Sequence, residues 1–509
     1  MQRKQLTLVI VSLLVVVLSV SLAYFTAQII GKGKEVSVTS ANLQIVFTDS
    51  DGALTETDIE PGWSATKTFT IKNDTKTEYK YNIVIKDLLN TFVTNGYLKY
   101  KITSTNGGYN MTEFKDIPKS SAPKDTILAY SVSIPVGVTQ SYTIEFKYAN
   151  DESVDQSDDM GKKLSGTLFI TEGTEEPVTL LSQILKDNPT RSTRSNNNNG
   201  TNDFATTLTT TTTGTLFTST ESITGITDSP KEVYYYAGNT TNNWVKFAGL
   251  YWRIIRTNHD SSIRLLYVGT SHDTTTGNIG TSLFNQNYNS PKYVGYKYGE
   301  DTSLDTIRNN TTDSTIKTTI DTWYQNNLTN YTKYLSTSAV YCNDRSEGTG
   351  QTYSASVKFN FAPYYRMDYD TNGAKANPSY NCTNIKDAFS VDNTSAKLDY
   401  PVSLMTADEI AFAGGVAFQN MSTPYAWFIS NSAGTQVSTD WWSLSPINWN
   451  GSNARVWYWG SGIAYLSGNY VNNTNAVRPA ISLKSCIKYS TGNGTYETPY
   501  EIVETSSGC

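Results

Sequence analysis

Histidine is almost missing from this chain, with only His259 and His272 among 509 residues. That scarcity removes most nucleophile–histidine pairs and histidine-rich metal sites before any geometry is considered. Both residues fall in polar loops, His259 within Asn258-His259-Asp260, and both read as solvated. Cysteine is nearly as rare: Cys342, Cys382, Cys486 and Cys509 all lie in the last third. They have neither C-x-x-C spacing nor a histidine neighbour, so structural bridges in an oxidising compartment are a better reading than zinc. Proximity in sequence favours Cys342 with Cys382 and Cys486 with Cys509 among the connectivities open to them. Charge is sparse too. With 17% charged residues and a net charge of −6, the chain carries no basic footprint for nucleic acid.

What is present in quantity is threonine, asparagine, serine, glycine and aromatic rings, including 35 tyrosines and 10 tryptophans. That mixture suits a β-rich exported protein. At the N-terminus, Arg3 and Lys4 precede an uncharged apolar run from Leu6 to Ala23, with Ser21 and Ala23 at the small positions before a cleavage point. Residues 1–27 therefore read as a signal peptide cut after Ala23 or, left uncut, as a membrane anchor.

From Val36 to Glu172, short runs with period-2 spacing follow one another, carried by Phe69 and Ile71, by Tyr81, Ile83 and Ile85, by Tyr97, Tyr100 and Ile102, by Tyr130, Val132 and Ile134, by Tyr142, Ile144 and Phe146, and by Leu168 and Ile170. Repeated short strands of this kind predict a sandwich over residues 28–173. The Leu22-Ala23-Tyr24-Phe25-Thr26 junction and the Ile59-Glu60-Pro61-Gly62-Trp63 turn resemble the TasA/camelysin-type exported proteins of Gram-positive bacteria. Camelysin is described as a metalloprotease, but this segment has no histidine to bind zinc. Ile29, Ile30, Val36 and Val38 give the stretch after the cleavage point some strand character, so self-assembly into a fibre by strand addition is the alternative role of this part.

Residues 177–189 read as a short amphipathic helix opened by Pro177 or Thr179 and stopped before Pro189. The Asn and Thr tracts of 191–213 then predict a linker, so residues 174–213 separate two domains. Beyond it, Val233–Tyr236, Trp244–Phe247, Tyr251–Arg256 and Ile263–Val268 read as strands. Asp313 or Ser314 caps a helix whose apolar face holds Ile316, Ile320, Trp323 and Leu328. Thr406 and Glu409 make the capping box of another, with Asp408 and Glu409 placed favourably against its dipole rather than as an acid/base pair. Tyr251-Trp252-Arg253, Thr406-Ala407-Asp408-Glu409, Trp441-Trp442-Ser443-Leu444-Ser445-Pro446 and Val477-Arg478-Pro479-Ala480 resemble a C-type-lectin-like domain of Gram-positive gut bacterial surface proteins, distantly similar to the formylglycine-generating-enzyme fold. The expected fold class is mainly β with an α+β C-terminal domain, a β-sandwich followed by a C-type-lectin-like domain over 214–509.

The densest aromatic stretch follows Trp441, and there rings and amides together describe a recognition surface. Asn448, Trp449, Asn450, Trp457, Tyr458, Trp459, Tyr465 and Tyr470 are the candidate ligand-binding residues, for an extracellular glycan or a protein ligand. Asp368, Asp370 and Asn372 open like a calcium loop, making calcium the one cofactor candidate, but Ser379 stands where the bidentate glutamate belongs. Arg478 is expected to be a buried guanidinium held by an acidic partner. No catalytic constellation survives, so an adhesin-like, non-enzymatic role is expected.

Overall fold

The structure, a computed structural model, describes residues 35–40, 43–49, 54–56 and 59–503, except 95, 177, 198–200, 368–375, 422–425, 433–434, 436–438 and 463. Ala23, Asp368, Asp370, Asn372 and Cys509 lie outside the described residues, as does the apolar run of 6–23. Among the described residues no helix is long and apolar enough to cross a membrane. The chain divides into two compact units, Met1–Glu176 and Pro177–Cys509, and the fold is mainly β.

The first unit holds β1 (Glu35–Ser40), β2 (Leu43–Asp49), β3 (Leu54–Glu56), β4 (Ser64–Asn73), β5 (Tyr79–Asn90), β6 (Leu98–Ser104), β7 (Lys115–Asp116), β8 (Ser120–Ile134), β9 (Thr139–Tyr148) and β10 (Leu164–Glu172). They form two antiparallel sheets, ordered β1-β2-β4-β9-β6-β7 and β3-β10-β5-β8. Alternation is clean along β9, where Gln140, Tyr142, Ile144, Phe146 and Tyr148 point inward, and along β6, where Leu98, Tyr100 and Ile102 do. These residues share one core with Tyr81, Ile83 and Ile85 of the other sheet, so the two sheets close on each other as a sandwich. A polar tie crosses the core: the Tyr81 hydroxyl donates to Gln140 Oε1 at 2.5 Å and also meets the Tyr142 hydroxyl. The turn before β4 is type II, with Pro61 second and Gly62 third at φ 94°, a conformation that favours glycine.

The second unit begins at α1 (Leu180–Asp187), capped by Thr179, whose side chain accepts from Ser182 N. The residues expected to be a linker are built into this unit instead. β11 (Thr190–Thr193) pairs in parallel with β12 (Thr215–Glu221), and Leu208 N donates to Gly414 O at 2.9 Å. Arg194 lies 4.4 Å over the Phe204 ring and donates to the carbonyls of Ala411 and Phe412. Composition misleads there because one buried ring and one arginine anchor a tract whose polar backbone can still pair.

A ten-stranded sheet forms the body of this unit. Its members include β12, β13 (Lys231–Tyr235), β14 (Trp244–Phe247), β15 (Leu250–Thr257) and β16 (Ile263–Gly269). A six-stranded sheet contains β17 (Thr281–Leu283) and, after α2 (Thr315–Asn327), β18 (Val402–Leu404) of the larger sheet and α3 (Ala407–Phe412), the strands β19 (Trp441–Trp449), β20 (Ala454–Gly460), β21 (Tyr465–Tyr470) and β22 (Thr474–Ala476). β23 (Pro479–Leu483) returns to pair with β16 and β18 of the larger sheet. One apolar core runs through both sheets and the inner faces of α2 and α3. Cys342 and Cys382 form a disulfide, and Cys486 is disulfide-bonded as well.

Candidate ligand-binding groove

The aromatic stretch does not form a displayed surface of indoles. Trp449 is 3% exposed, and Trp457 and Trp459 are 0% exposed, which corrects the expectation that these rings contact a ligand. The alternation argument fails because β19 is buried at eight of its nine positions, so both faces of this strand are covered. Trp459 packs edge-on against Phe428 with centroids 5.0 Å apart, and Trp457 lies between Tyr364 and Phe418. Of the other expected contacts, Asn448, Tyr458 and Tyr465 are half-buried, whereas Asn450 and Tyr470 are exposed. Tyr470 lies under the Arg455 guanidinium, 5.5 Å from its ring centre.

The edge of this sheet leads to a groove that strand periodicity does not reveal. The backbone joins them: Asn285 N donates to Val471 O at 2.9 Å, Val471 N to Ala454 O at 3.2 Å, and Ala454 N to Tyr288 O at 2.8 Å. Residues 285–288 thus lie between the ends of β20 and β21 and the groove, which has a volume of about 580 Å³. Asn285, Gln286 and Asn287 line it from this loop, and Tyr298 and Asp313 line it before α2. Thr315, Thr318, Thr319 and Thr322 line it from α2 itself. Their spacing of i, i+3, i+4 and i+7 places them on one helix face, opposite the buried Ile316, Ile320 and Tyr324.

This face is unusual for its place. Threonine is a poor helix former, disfavoured by roughly 0.5 kcal/mol per residue against alanine, and the solvent side of a helix is where good formers are freely chosen. The helix is nevertheless well begun, since Ser314 caps it by accepting from Lys317 N. The hydroxyls of Thr318, Thr319 and Thr322 donate to the carbonyls of Ser314, Thr315 and Thr318 at 3.2, 3.0 and 2.8 Å. What they turn outward is lone pairs and methyl groups. Thr315 Oγ1 accepts from Gln286 N at 3.0 Å and so fixes the loop against the helix. Asn285 is 3% exposed, and its Nδ2 makes no hydrogen bond of adequate geometry. It still lies near enough to the Tyr298 phenol to favour ionisation, although burial and then the neighbouring Tyr293 outweigh it and raise that pKa.

Asp313 belongs to a second cluster. The carboxylates of Asp313, Asp321 and Asp399 converge as metal ligands do, but Lys317 Nζ stands among them at 3.1, 2.5 and 2.6 Å. The 0%-exposed ammonium already supplies the positive charge, so this cluster is an internal ion network.

A third constellation is built on α3. The capping box is present: Thr406 accepts from Glu409 N and Glu409 Oε2 accepts from Thr406 N at 2.9 Å. Glu409 Oε1 simultaneously takes Arg256 Nε at 2.8 Å and Arg264 Nη1 at 2.6 Å, while Arg256 also holds Glu221 at 2.8 Å. Burial would raise the Glu221 carboxyl, yet Arg256 and His259 hold it at about 2, well below its ordinary 4.5. The His259 side chain is only 8% exposed, 3.5 Å from Glu221, so it is part of this network and not a solvated loop residue. Asp408 accepts from Arg366 Nε at 2.7 Å and from Ser379 N at 2.9 Å. Every strong partner here is distant in sequence, which is why local spacing shows the cap and not the ion pairs.

Arg478 is buried as expected but has no acidic partner among the described residues. It donates to the carbonyls of Phe428 and Tyr267 and lies 5.1 Å from the Trp441 ring centre. Burial pushes its pKa down to about 9. Burial, and then repulsion from Arg478, does the same to Arg253. His272 is half-buried between Tyr251 and Tyr496, and its Nδ1 lies 2.9 Å from Ser432 Oγ and 3.0 Å from Asp273 Oδ1. Serine and aspartate meet at the same ring nitrogen and also bond each other directly, so the imidazole does not sit between them as a relay requires.

No known protein family matches the chain, and no curated protein does. Among solved structures, one described as "AvmM Catalyzes Macrocyclization in Alchivemycin A Biosynthesis" is 12% identical and spans 29% of this chain and 100% of its own, with a TM-score of 0.16. A likeness that low carries no argument about fold or activity.

Proposed function

We propose that this chain is an exported, adhesin-like cell-surface binding protein that recognises an extracellular glycan or protein ligand through its second unit. The observation that carries this reading is the polar groove of about 580 Å³, joined through residues 285–288 to the exposed Tyr288 and Tyr470. A concave site lined by amides, hydroxyls and a phenol, bordered by exposed rings, is suited to non-covalent recognition. The basic and apolar N-terminal segment and the disulfide Cys342–Cys382 support export. The resemblances to TasA/camelysin-type proteins and to C-type-lectin-like domains agree with a surface location. Calcium has no part in this reading. Binding of the purified chain to cultured epithelial cells and to glycan and protein arrays tests it, and absence of saturable binding to all three would end it.

A second reading, a fibre subunit assembled through the first unit, is favoured by β8, an edge strand whose later half, from Ile127, mixes buried and half-buried residues and alternates only from Ser131 to Ile134. Its earlier half carries Pro123, Lys124 and Asp125, which oppose edge-to-edge pairing, so strand addition would use the later half. Electron microscopy of secreted material decides between them: under this reading, deletion of residues 24–38 abolishes filaments.

A further inference from the structure

We infer that the groove on α2 selects an uncharged, hydroxyl-rich chain, a neutral oligosaccharide, in preference to acidic sugars or peptides. This rests on the recognition reading above and names its ligand class. Sugar hydroxyls donate and accept at once, and so do the amides of Asn285, Gln286 and Asn287. The threonine face complements them from the helix: Thr315 and Thr319 are engaged by Gln286 N and Ser282 Oγ, while the hydroxyl protons of the exposed Thr318 and Thr322 are committed to backbone carbonyls, leaving their acceptors and methyl groups for the alternating O–H and C–H faces of a sugar ring. Tyr298 adds a half-buried ring.

Charge narrows the class further. Among the described residues no arginine or lysine lines the groove, and a carboxylate or sulfate would find no guanidinium there to receive it. The acidic lining residue, Asp313, is engaged by Lys297 and Lys317, each at 3.1 Å, so it does not attract a cationic peptide. Independently of the threonine face, the Asn285 amide is 3% exposed, and its Nδ2 closes no hydrogen bond of good geometry although the side chain lies beside the Tyr298 phenol. A buried donor left in that state, lining a groove, is suited to an incoming oxygen. The volume of about 580 Å³ falls within the range of roughly 300–1,000 Å³ typical of sites for small ligands.

The test uses the full chain on an array of glucan, mannan, galactan and chitin fragments beside sialylated and uronate-containing oligosaccharides, followed by titration of the best binder. The expected result is binding to a neutral member, weakened at least tenfold by Tyr298→Ala and by the double substitution Thr318→Lys with Thr322→Lys, at positions exposed enough to leave folding intact. Circular dichroism of each variant checks that the fold is kept, and Val357→Ala, exposed and outside the groove, should lower affinity less than threefold. Preference for acidic glycans, or groove variants that bind like the parent, would overturn the inference while leaving recognition standing. So would cell or protein binding without any saccharide binding. Absence of binding to arrays and cells alike would remove both.

Discussion

The hairpin of β19 and β20 and the outer face of α2 are both rich in residues that recognition surfaces use, and they end up on opposite sides of the protein's boundary with water. The hairpin's indoles are sealed in the core, while the helix keeps threonines in the open where alanine or glutamate would serve the helix better. The difference teaches that a residue type suited to contact says little until something shows that the fold could have done without it there. Tryptophan in a strand is explained by packing. On α2, Thr315 and Thr319 are explained by Gln286 and Ser282, which they hold, but the exposed Thr318 and Thr322 are not.

That contrast can be broken by substitution, and the largest effect is expected in the hairpin. Trp457→Ala should destabilise the second unit by about 3–5 kcal/mol, read from urea unfolding, because a fully buried indole leaves a cavity. If the variant keeps its stability and loses only ligand, the hairpin is a site after all. Lys317→Met, beneath the threonine face, should cost about 3 kcal/mol by leaving three carboxylates facing one another, somewhat less if Asp399, 56% exposed, turns to solvent. Addition of calcium should not stabilise the parent chain, whose cluster already holds an ammonium. A rise in its melting temperature with calcium that Asp321→Asn abolishes would contradict that account.

Acid sharpens the comparison from another side. The folded pKa of Glu221, about 2, lies below its ordinary 4.5, so the stability it contributes is present above 4.5 and is lost as pH falls towards about 2. Glu409 and Asp344 are lowered in the same direction, burial opposing and arginines prevailing. The second unit should therefore weaken through this window, and Glu221→Gln should be less stable at neutral pH with a flatter dependence, measured by thermal melts at stepped pH. The smallest effect is the most diagnostic: Thr322→Ala should stabilise the helix by about 0.5 kcal/mol while weakening ligand capture. Stabilisation with capture untouched would make the threonine face an accident of composition.

Much of the scaffold was legible in the residues. Period-2 runs marked β4, β6 and β9 because one face of each is buried, the runs in β5 and β10 lie where both faces are covered, and Ser314 and Thr406 announced α2 and α3 because a cap is a local interaction. What was not legible depended on distant partners. The residues after Pro189 looked unable to fold because their anchors, Ala411, Phe412 and Gly414, lie some two hundred positions on. The indoles looked available because sequence shows a strand's two faces but not what covers them. The groove does leave a signal in the sequence, four threonines at i, i+3, i+4 and i+7, but it lies on the polar side of a helix, where apolar periodicity shows nothing.

Glu409 has a consequence for how the second unit comes apart. One oxygen of its carboxylate starts α3 and the other binds arginines on two adjacent strands, β15 and β16. Fraying of that helix start would take a carboxylate from two buried guanidiniums, leaving Arg256 with Glu221 and Arg264 with the Val340 carbonyl, so the usual loose end of a short helix is tied to the middle of the sheet. The Thr406 amide should exchange its hydrogen only when the sheet itself opens.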